Sequence, residues 1–97
     1  MKLNFLFLHS IEIVKYIVSR LEDKNPATNN GWTPLHAAAQ EGHFEVVKYI
    51  ANQLDDKNPI DNDGDTPQSI AEENGHTEIV EYFKAQKRRR VVGSKKK

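Results

Sequence analysis

The run Asp61-Asn62-Asp63-Gly64-Asp65 has the residue types of a calcium-binding loop. In an EF-hand loop, oxygen ligands stand at positions 1, 3 and 5, a glycine at position 6 and a bidentate glutamate at position 12. If Gly64 takes the glycine position, Pro59 falls at position 1 and Ile70 at position 12, and neither side chain supplies a ligand. The spacing therefore favours a solvated acidic turn without a metal.

The four histidines do not form a metal site or a catalytic group in the sequence. A zinc site needs three or four convergent ligands, and no two of these histidines share a predicted helix at i, i+4 spacing. The chain has no cysteine, which excludes a thiol nucleophile and a disulfide framework. No Ser/His/Asp grouping, glycine-rich phosphate loop or pair of buried carboxylates can be assembled. We predict a non-enzymatic protein with no cofactor and no small-molecule substrate.

Charge is divided unevenly along the chain. Residues 1–83 hold all 14 acidic side chains and six basic ones, for a net charge of −8, whereas residues 84–97 hold eight basic side chains and no acidic ones. The densest basic run is Lys87, Arg88, Arg89 and Arg90. Such a run is typical of nuclear targeting or a nucleic-acid contact, and equally of a solvated or appended tail. We predict that residues 87–97 form a disordered basic tail.

The N-terminal residues are apolar but do not have the pattern of a secretory signal. The apolar stretch spans six residues, contains Asn4 and lacks a small-residue cleavage site. No other stretch approaches the roughly 20 apolar residues that a membrane span requires, so we expect no membrane partner. The apolar segment Phe5-Leu6-Phe7-Leu8 is instead predicted either to form a makeshift N-terminal cap or to mediate self-association.

A 33-residue repeat organises most of the chain. When Ser10–Ile50 is shifted onto His43–Phe83, 20 of the 41 positions are identical. Asp23-Lys24-Asn25-Pro26 returns as Asp56-Lys57-Asn58-Pro59, and Thr33-Pro34 returns one period later. A fixed period of this length predicts stacked supersecondary units that bury their apolar faces against each other.

Each unit contains signals for two helices. In the central copy, Thr33 is suited to cap a helix, Pro34 to occupy its first position and Gly42 to end it. A second helix follows, with apolar residues from Phe44 to Leu54 at spacings of three and four. The alanines of the first helix allow neighbouring helices to approach closely.

The central copy resembles the ankyrin repeat. Its Gly31–Lys48 segment reads GWTPLHAAAQEGHFEVVK, which is similar to the family pattern G-x-T-P-L-H-x-A-A-x-x-G-H-x-E-V-V-K. The resemblance covers about residues 10–83 and implies an all-α solenoid of stacked helix-turn-helix units with short hairpin loops. In this family His36 would hydrogen-bond near the turn and link neighbouring units. We divide the chain into a repeat domain and the tail: 1–28 truncated N-terminal repeat, 29–61 full repeat, 62–86 C-terminal capping repeat, 87–97 tail.

Three departures from the family pattern carry further predictions. The helix-to-loop corners have Leu21-Glu22-Asp23 and Leu54-Asp55-Asp56 instead of Gly-Ala-Asp, so they need a different cap, for which the leucine is a candidate. In the last copy the Leu-His pair becomes Gln68-Ser69, and two alanines become Ile70 and Glu72. Polar substitution on the outward face is what a terminal capping repeat needs to meet water. The first copy lacks Thr-Pro-Leu-His, so its first helix would come from Lys2–Leu8.

The resemblance also implies a partner-binding surface, because ankyrin repeats contact partners through the hairpin tips and the concave face of the first helices. The matching positions in this chain are Asn29, Asn30, Trp32, Gln40, Glu41, Asn62, Asp63, Asp65, Glu73 and Asn74. Four of them are acidic and none is basic, which favours a partner protein with a basic surface. Trp32 is either a contact residue of this surface or a residue that packs over the adjacent hairpin.

We therefore predict a protein-interaction module in the cytoplasm or nucleus. The alternatives are a nuclear-targeting or nucleic-acid adaptor that acts through the basic tail, and an isolated or engineered repeat stack without a function of its own. Nucleic acid is the less favoured partner.

Overall fold

Five helices form the part of the chain that the computed structural model describes, residues 10–95, with side chains described through residue 86. They are α1 (Ile11–Ser19), α2 (Pro34–Glu41), α3 (Phe44–Ala51), α4 (Pro67–Glu73) and α5 (Thr77–Lys95). No strand occurs between residues 10 and 95. The all-α class predicted from the sequence is confirmed. Within this range no helix combines the length and the apolar content needed to cross a membrane.

The helices are arranged in two rows. The first-helix row consists of α2 and α4, which pack side by side, and the second-helix row consists of α1, α3 and α5, in which α3 contacts both neighbours. The rows pack on each other through α2 with α3 and through α4 with α5. Each 33-residue period thus adds one helix to each row, as a solenoid requires.

The start of α2 shows why the Thr-Pro-Leu-His sequence begins a helix. The Thr33 hydroxyl oxygen accepts a hydrogen bond from the His36 amide at 3.2 Å, and His36 Nδ1 accepts one from the Thr33 amide at 3.2 Å. Asn25 Oδ1 accepts from the Leu35 amide at 3.0 Å, and Pro34 has no amide hydrogen to satisfy. The free N–H groups that every helix start exposes are therefore paired.

Lysines cap the ends of the second helices. Lys57 Nζ donates to the carbonyl oxygen of Ala51, the last residue of α3, at 2.8 Å, and to that of Leu54, in the corner that follows, at 2.7 Å. Lys24 Nζ donates to the Val18 carbonyl oxygen at the end of α1, at 3.0 Å. A cation also interacts favourably with the negative end of the helix dipole. The corner does use a different cap, but the lysine of Asp-Lys-Asn-Pro provides it, while Leu54 packs half-buried against the core.

The core fills the space between the two rows. Its members lie on every helix, and those of α2 include three consecutive alanines, Ala37, Ala38 and Ala39, all of them buried. Because alanine has a short side chain, α2 can pack closely against α3 and α4 at once. Larger residues of the second-helix row, such as Val47, Ile50 and Phe83, fill the remaining space.

The C-terminal end of the stack has a polar face. Ala39 and Ala51 are fully buried in the middle repeat, and the equivalent residues one period later, Glu72 and Lys84, are exposed. Between these two side chains lies an open depression of about 250 Å³, with Ala71 among its lining residues. Polar residues at positions that are otherwise covered allow the last repeat to face water. A terminal repeat is expected to have this pattern, and the bounds 62–86 of the capping repeat stay a prediction.

The last helix is longer than the sequence predicted. Its backbone continues to Lys95, whereas a disordered tail was expected from residue 87. Residues 84–90 are strong helix formers, and neither glycine nor proline interrupts the run before Gly93, so nothing in the sequence ends the helix at residue 86. The predicted first helix Lys2–Leu8 and the self-association segment Phe5–Leu8 lie outside the described residues.

Candidate protein-binding surface

Two hairpin turns connect the repeats and share one backbone geometry. In the first, the Thr28 amide donates to the Trp32 carbonyl oxygen at 2.8 Å, and the Gly31 amide donates to the Thr28 carbonyl oxygen at 2.9 Å. The second turn has the same two bonds. The Asp61 amide donates to the Asp65 carbonyl oxygen at 2.9 Å, and the Gly64 amide donates to the Asp61 carbonyl oxygen at 3.1 Å. The turn glycines have φ angles of 81° and 86°, in the left-handed region where glycine is favoured.

In each turn, one side-chain oxygen accepts hydrogen bonds from two backbone amides of the same turn. Asp61 Oδ1 accepts hydrogen bonds from the amides of Asp63 and Asp65, at 2.9 and 2.8 Å. Thr28 Oγ1 accepts the same two bonds in the first turn, from the amides of Asn30 and Trp32. The carboxylates of Asp61, Asp63 and Asp65 lie within 4.8 Å of one another. Because threonine serves equally well one repeat earlier, the turn requires an acceptor at this position and does not require a cation.

The two hairpins are joined directly. The Asn62 amide donates to the Asn30 carbonyl oxygen at 2.9 Å, and Asn62 Nδ2 donates to the Asn29 carbonyl oxygen at 3.2 Å. A Cβ atom added at Gly31 would lie 3.1 Å from the Asn62 backbone nitrogen and the Asp61 Cα. Gly31 therefore permits both the turn and the close approach of the two hairpins. The hairpin tips form one continuous surface.

His36 ties the middle repeat to the last one. Its Nδ1 accepts from the Thr33 amide, so the ring hydrogen is on Nε2, which donates to the Asp65 carbonyl oxygen at 3.0 Å. The ring is fully buried. The structural role that the family resemblance implied for this histidine is confirmed. In the last repeat Ser69 replaces it and caps α4 through the Thr66 amide at 2.9 Å.

Trp32 packs beside this histidine. The two rings stack with centroids 5.1 Å apart and an interplanar angle of 28°. The indole is half-buried against the core cluster. The observed packing partner of Trp32 is His36 of the same repeat. The exposed part of Trp32 stays a predicted partner contact.

The ends of the first helices carry the remaining predicted residues. The Gln40 carbonyl oxygen accepts a hydrogen bond from His76 Nε2 at 2.9 Å, which holds the end of α2 against the last repeat. The His76 ring lies so close to Gly42 that an added Cβ would be 2.7 Å from it. Gln40 and Glu41 at the end of α2, and Glu73 and Asn74 at the end of α4, all have exposed side chains.

The structure thus places the ten predicted residues in two groups, one on the hairpins and one at the C-terminal ends of α2 and α4. The hairpin group consists of Asn29, Asn30, Trp32, Asn62, Asp63 and Asp65, and the helix-end group of Gln40, Glu41, Glu73 and Asn74. We call the two groups together the acidic surface. They are separated by the length of α2, whose eight residues span about 12 Å. Trp32 and Asp65 are half-buried and the other eight are exposed.

One exposed residue near this surface was missed. Ile60 precedes the second hairpin turn, and its side chain is 69% exposed. The equivalent residue in the preceding copy is Ala27, so the replacement of a small residue by a large apolar one was the available signal. A large apolar side chain on a hairpin offers a partner area to bury.

Comparison with known families agrees with the two-row architecture. A family model described as ankyrin repeats matches residues 6–91 in three copies. The chain belongs to the ankyrin-repeat family. Ankyrin repeats are generally protein–protein interaction modules, and the family is typically non-enzymatic. No curated protein and no solved structure matches the chain. The first copy is included in the ankyrin match although it lacks Thr-Pro-Leu-His.

Proposed function

We propose that this ankyrin-repeat chain binds a basic segment of a partner protein on its acidic surface, without catalysis, in the cytoplasm or nucleus. The observation that carries the proposal is the distribution of charge. Residues 25–47 and 58–83, which supply both hairpins and both first helices, contain no lysine or arginine. The acidic surface itself holds Glu41, Asp63, Asp65 and Glu73. Complementary charge of this kind steers association and selects between partners.

The backbone of the acidic surface is held before a partner arrives. Hydrogen bonds join the two hairpins through Asn62, and His36 and His76 join the middle repeat to the last one. A surface that is already ordered loses little conformational entropy on binding, which favours affinity.

The spacing of the two groups limits the shape of the ligand. An extended segment advances about 3.3 Å per residue, so two basic residues about four positions apart would reach both groups across α2. The exposed part of Trp32 and the side chain of Ile60 offer apolar contacts at the hairpin end. Aromatic residues are enriched among those that dominate binding energy.

Affinity capture from the source cells tests this proposal. The chain is compared with the variant Asp63→Lys/Glu73→Lys, which reverses one exposed charge in each group. The matched control is Glu22→Lys/Asp55→Lys, which changes two exposed acids at the helix corners. We expect partners to be retained by the control and lost by the first variant, with an affinity decrease of about ten-fold or more. Equal capture by both variants would contradict the proposal.

The second candidate function depends on the basic part of α5. The helical backbone continues through Lys87, Arg88, Arg89 and Arg90, so these residues follow a helix that is anchored in the stack. A basic helix of this kind suits a nuclear-import or nucleic-acid contact. Deletion of residues 87–97 separates the two candidates, because binding that depends on the acidic surface should survive it. Loss of the captured partner with the repeats still folded would favour the basic segment.

A further inference from the structure

The first helix of the second-helix row has an uncovered apolar face. Ile13 is 50% exposed, whereas its equivalents Val46 and Ile79 are 3% and 1% exposed. Tyr16 is 62% exposed, whereas its equivalents Tyr49 and Tyr82 are half-buried. The same positions in the same repeat are therefore covered in α3 and α5 and open in α1.

Contacts made by Tyr82 show what covers this position elsewhere in the row. Its ring meets the Phe44 ring edge to face at 6.2 Å, and its hydroxyl donates to Asn52 Oδ1 at 3.5 Å. Both partners belong to the preceding repeat. The face around Tyr16 therefore continues, in register, the interface that joins consecutive second helices.

The polar end of the stack does not complement this face. Phe44, Ala39 and Ala51 of the middle repeat are replaced by Thr77, Glu72 and Lys84 in the last repeat, and these three residues are exposed. In a head-to-tail stack of two copies, Glu72 and Lys84 of one copy would be buried against Ile13 and Tyr16 of the next. Burial of these two charged side chains costs free energy. A pairing of like faces avoids this burial.

Charged residues on α1 suit such a pairing. Glu12 and Tyr16 of α1 and the C-cap residue Arg20 are spaced at i, i+4 and i+8, so they follow one side of the helix. Glu12 is at one end of this stripe and Arg20 at the other, each four residues from Tyr16. The Arg20 guanidinium lies 4.7 Å from the Tyr16 ring centroid. The equivalents of Arg20 are Gln53 and Gln86, so the base occurs only in the copy whose face is open.

We propose that two copies of this chain pair through α1, antiparallel, about a two-fold axis near Tyr16. Ile13 and Tyr16 form the apolar centre, and Glu12 of each copy faces Arg20 of the other. An isologous pairing of this kind makes every contact twice and closes after two copies. The formal net charge of zero means that the copies do not repel each other as a whole. The small apolar area makes the dimer weak and concentration-dependent.

Sedimentation equilibrium of the full chain, from micromolar to about millimolar concentration, measures the dimer directly. We expect Tyr16→Glu to raise the dimer Kd by about ten-fold or more, because it places two carboxylates at the axis. The matched control is Ala27→Glu, which adds the same charge at an exposed residue outside α1 and outside the acidic surface. It should leave self-association unchanged. Circular dichroism of each variant establishes that the helices are retained.

A charge exchange tests the antiparallel arrangement. Glu12→Arg and Arg20→Glu should each weaken self-association by about ten-fold, because each brings like charges together twice. An equimolar mixture of these two variants should restore pairing, since every facing pair then has opposite signs. The double variant Glu12→Arg/Arg20→Glu should also pair. A chain that stays monomeric at millimolar concentration, a Tyr16→Glu variant that pairs like the parent, or a mixture that fails to pair would each overturn the proposal.

Discussion

His36 donates a hydrogen bond from Nε2 to the backbone carbonyl oxygen of Asp65, 3.0 Å away, across the boundary between the middle and last repeats. The other ring nitrogen accepts from the Thr33 amide at the start of α2. One buried side chain thus fixes the beginning of a helix and the position of the next hairpin. Because that hairpin carries half of the hairpin group, the shape of the acidic surface depends on this contact.

Replacement of His36 separates its two functions. His36→Ala leaves the Thr33 amide and the Asp65 carbonyl without this partner, and we expect it to lower the free energy of unfolding by about 3 kcal/mol. His36→Ser should cost less, because Ser69 shows that serine can cap the equivalent helix. Urea unfolding followed by circular dichroism measures both. Equal losses for the two variants would mean that the cap contributes nothing.

Lys57→Met tests the lysine cap at the end of α3. The substitution keeps an apolar stem of similar length but removes the hydrogen bonds to the carbonyl oxygens of Ala51, the last residue of α3, and Leu54, in the corner that follows. We expect a loss of about 1 kcal/mol in unfolding free energy. Lys48→Met is the control, because Lys48 makes an exposed ion pair with Glu45 at 3.8 Å, which is worth about 0.5 kcal/mol or less. A larger loss in the control would contradict the cap.

Gly42 and Gly75 differ in one respect that a substitution can measure. Both have positive φ angles, 78° and 74°, but an added Cβ would meet the His76 ring at Gly42 and no atom within 4 Å at Gly75. Gly75→Ala should cost about 1 kcal/mol through backbone strain alone. Gly42→Ala should cost clearly more, because His76 must also move and its bond to Gln40 is disturbed. Thermal unfolding of the two variants gives the difference, and equal costs would exclude a role for the ring contact.

The two hydrogen bonds that Asp61 Oδ1 accepts in the second hairpin predict which replacements of Asp61 are tolerated. Asp61→Thr should preserve stability to within about 0.5 kcal/mol, because Thr28 performs the same role one repeat earlier. Asp61→Ala removes the acceptor from two amides and should cost about 1–2 kcal/mol. Differential scanning calorimetry with and without added calcium completes the test. A stabilisation by calcium that Asp61→Thr abolishes would show that the turn binds the ion.

Local signals made the helix starts and turns predictable. Thr33 contacts the residue three positions ahead, and Gly31 and Gly42 act through their own backbone angles. Such interactions depend on neighbours along the chain, so residue types at short spacing are sufficient to predict them. The helix propensity of residues 84–90 also predicts that α5 continues beyond residue 86, whereas the charge of this run by itself predicts a solvated tail.

Residue types along the chain are sufficient to predict the two-helix unit, its 33-residue period and the acidic composition of the hairpins and first helices. Three features are seen in the folded chain alone: Lys57 caps α3, the His36 ring binds the Asp65 carbonyl oxygen, and Tyr16 is exposed while Tyr82 is half-buried. The contact of His36 with Asp65 joins residues that are nearly one period apart, and the Lys57 cap requires the chain to turn back after α3. Identical residues in successive repeats differ in exposure because burial is set by what packs against them.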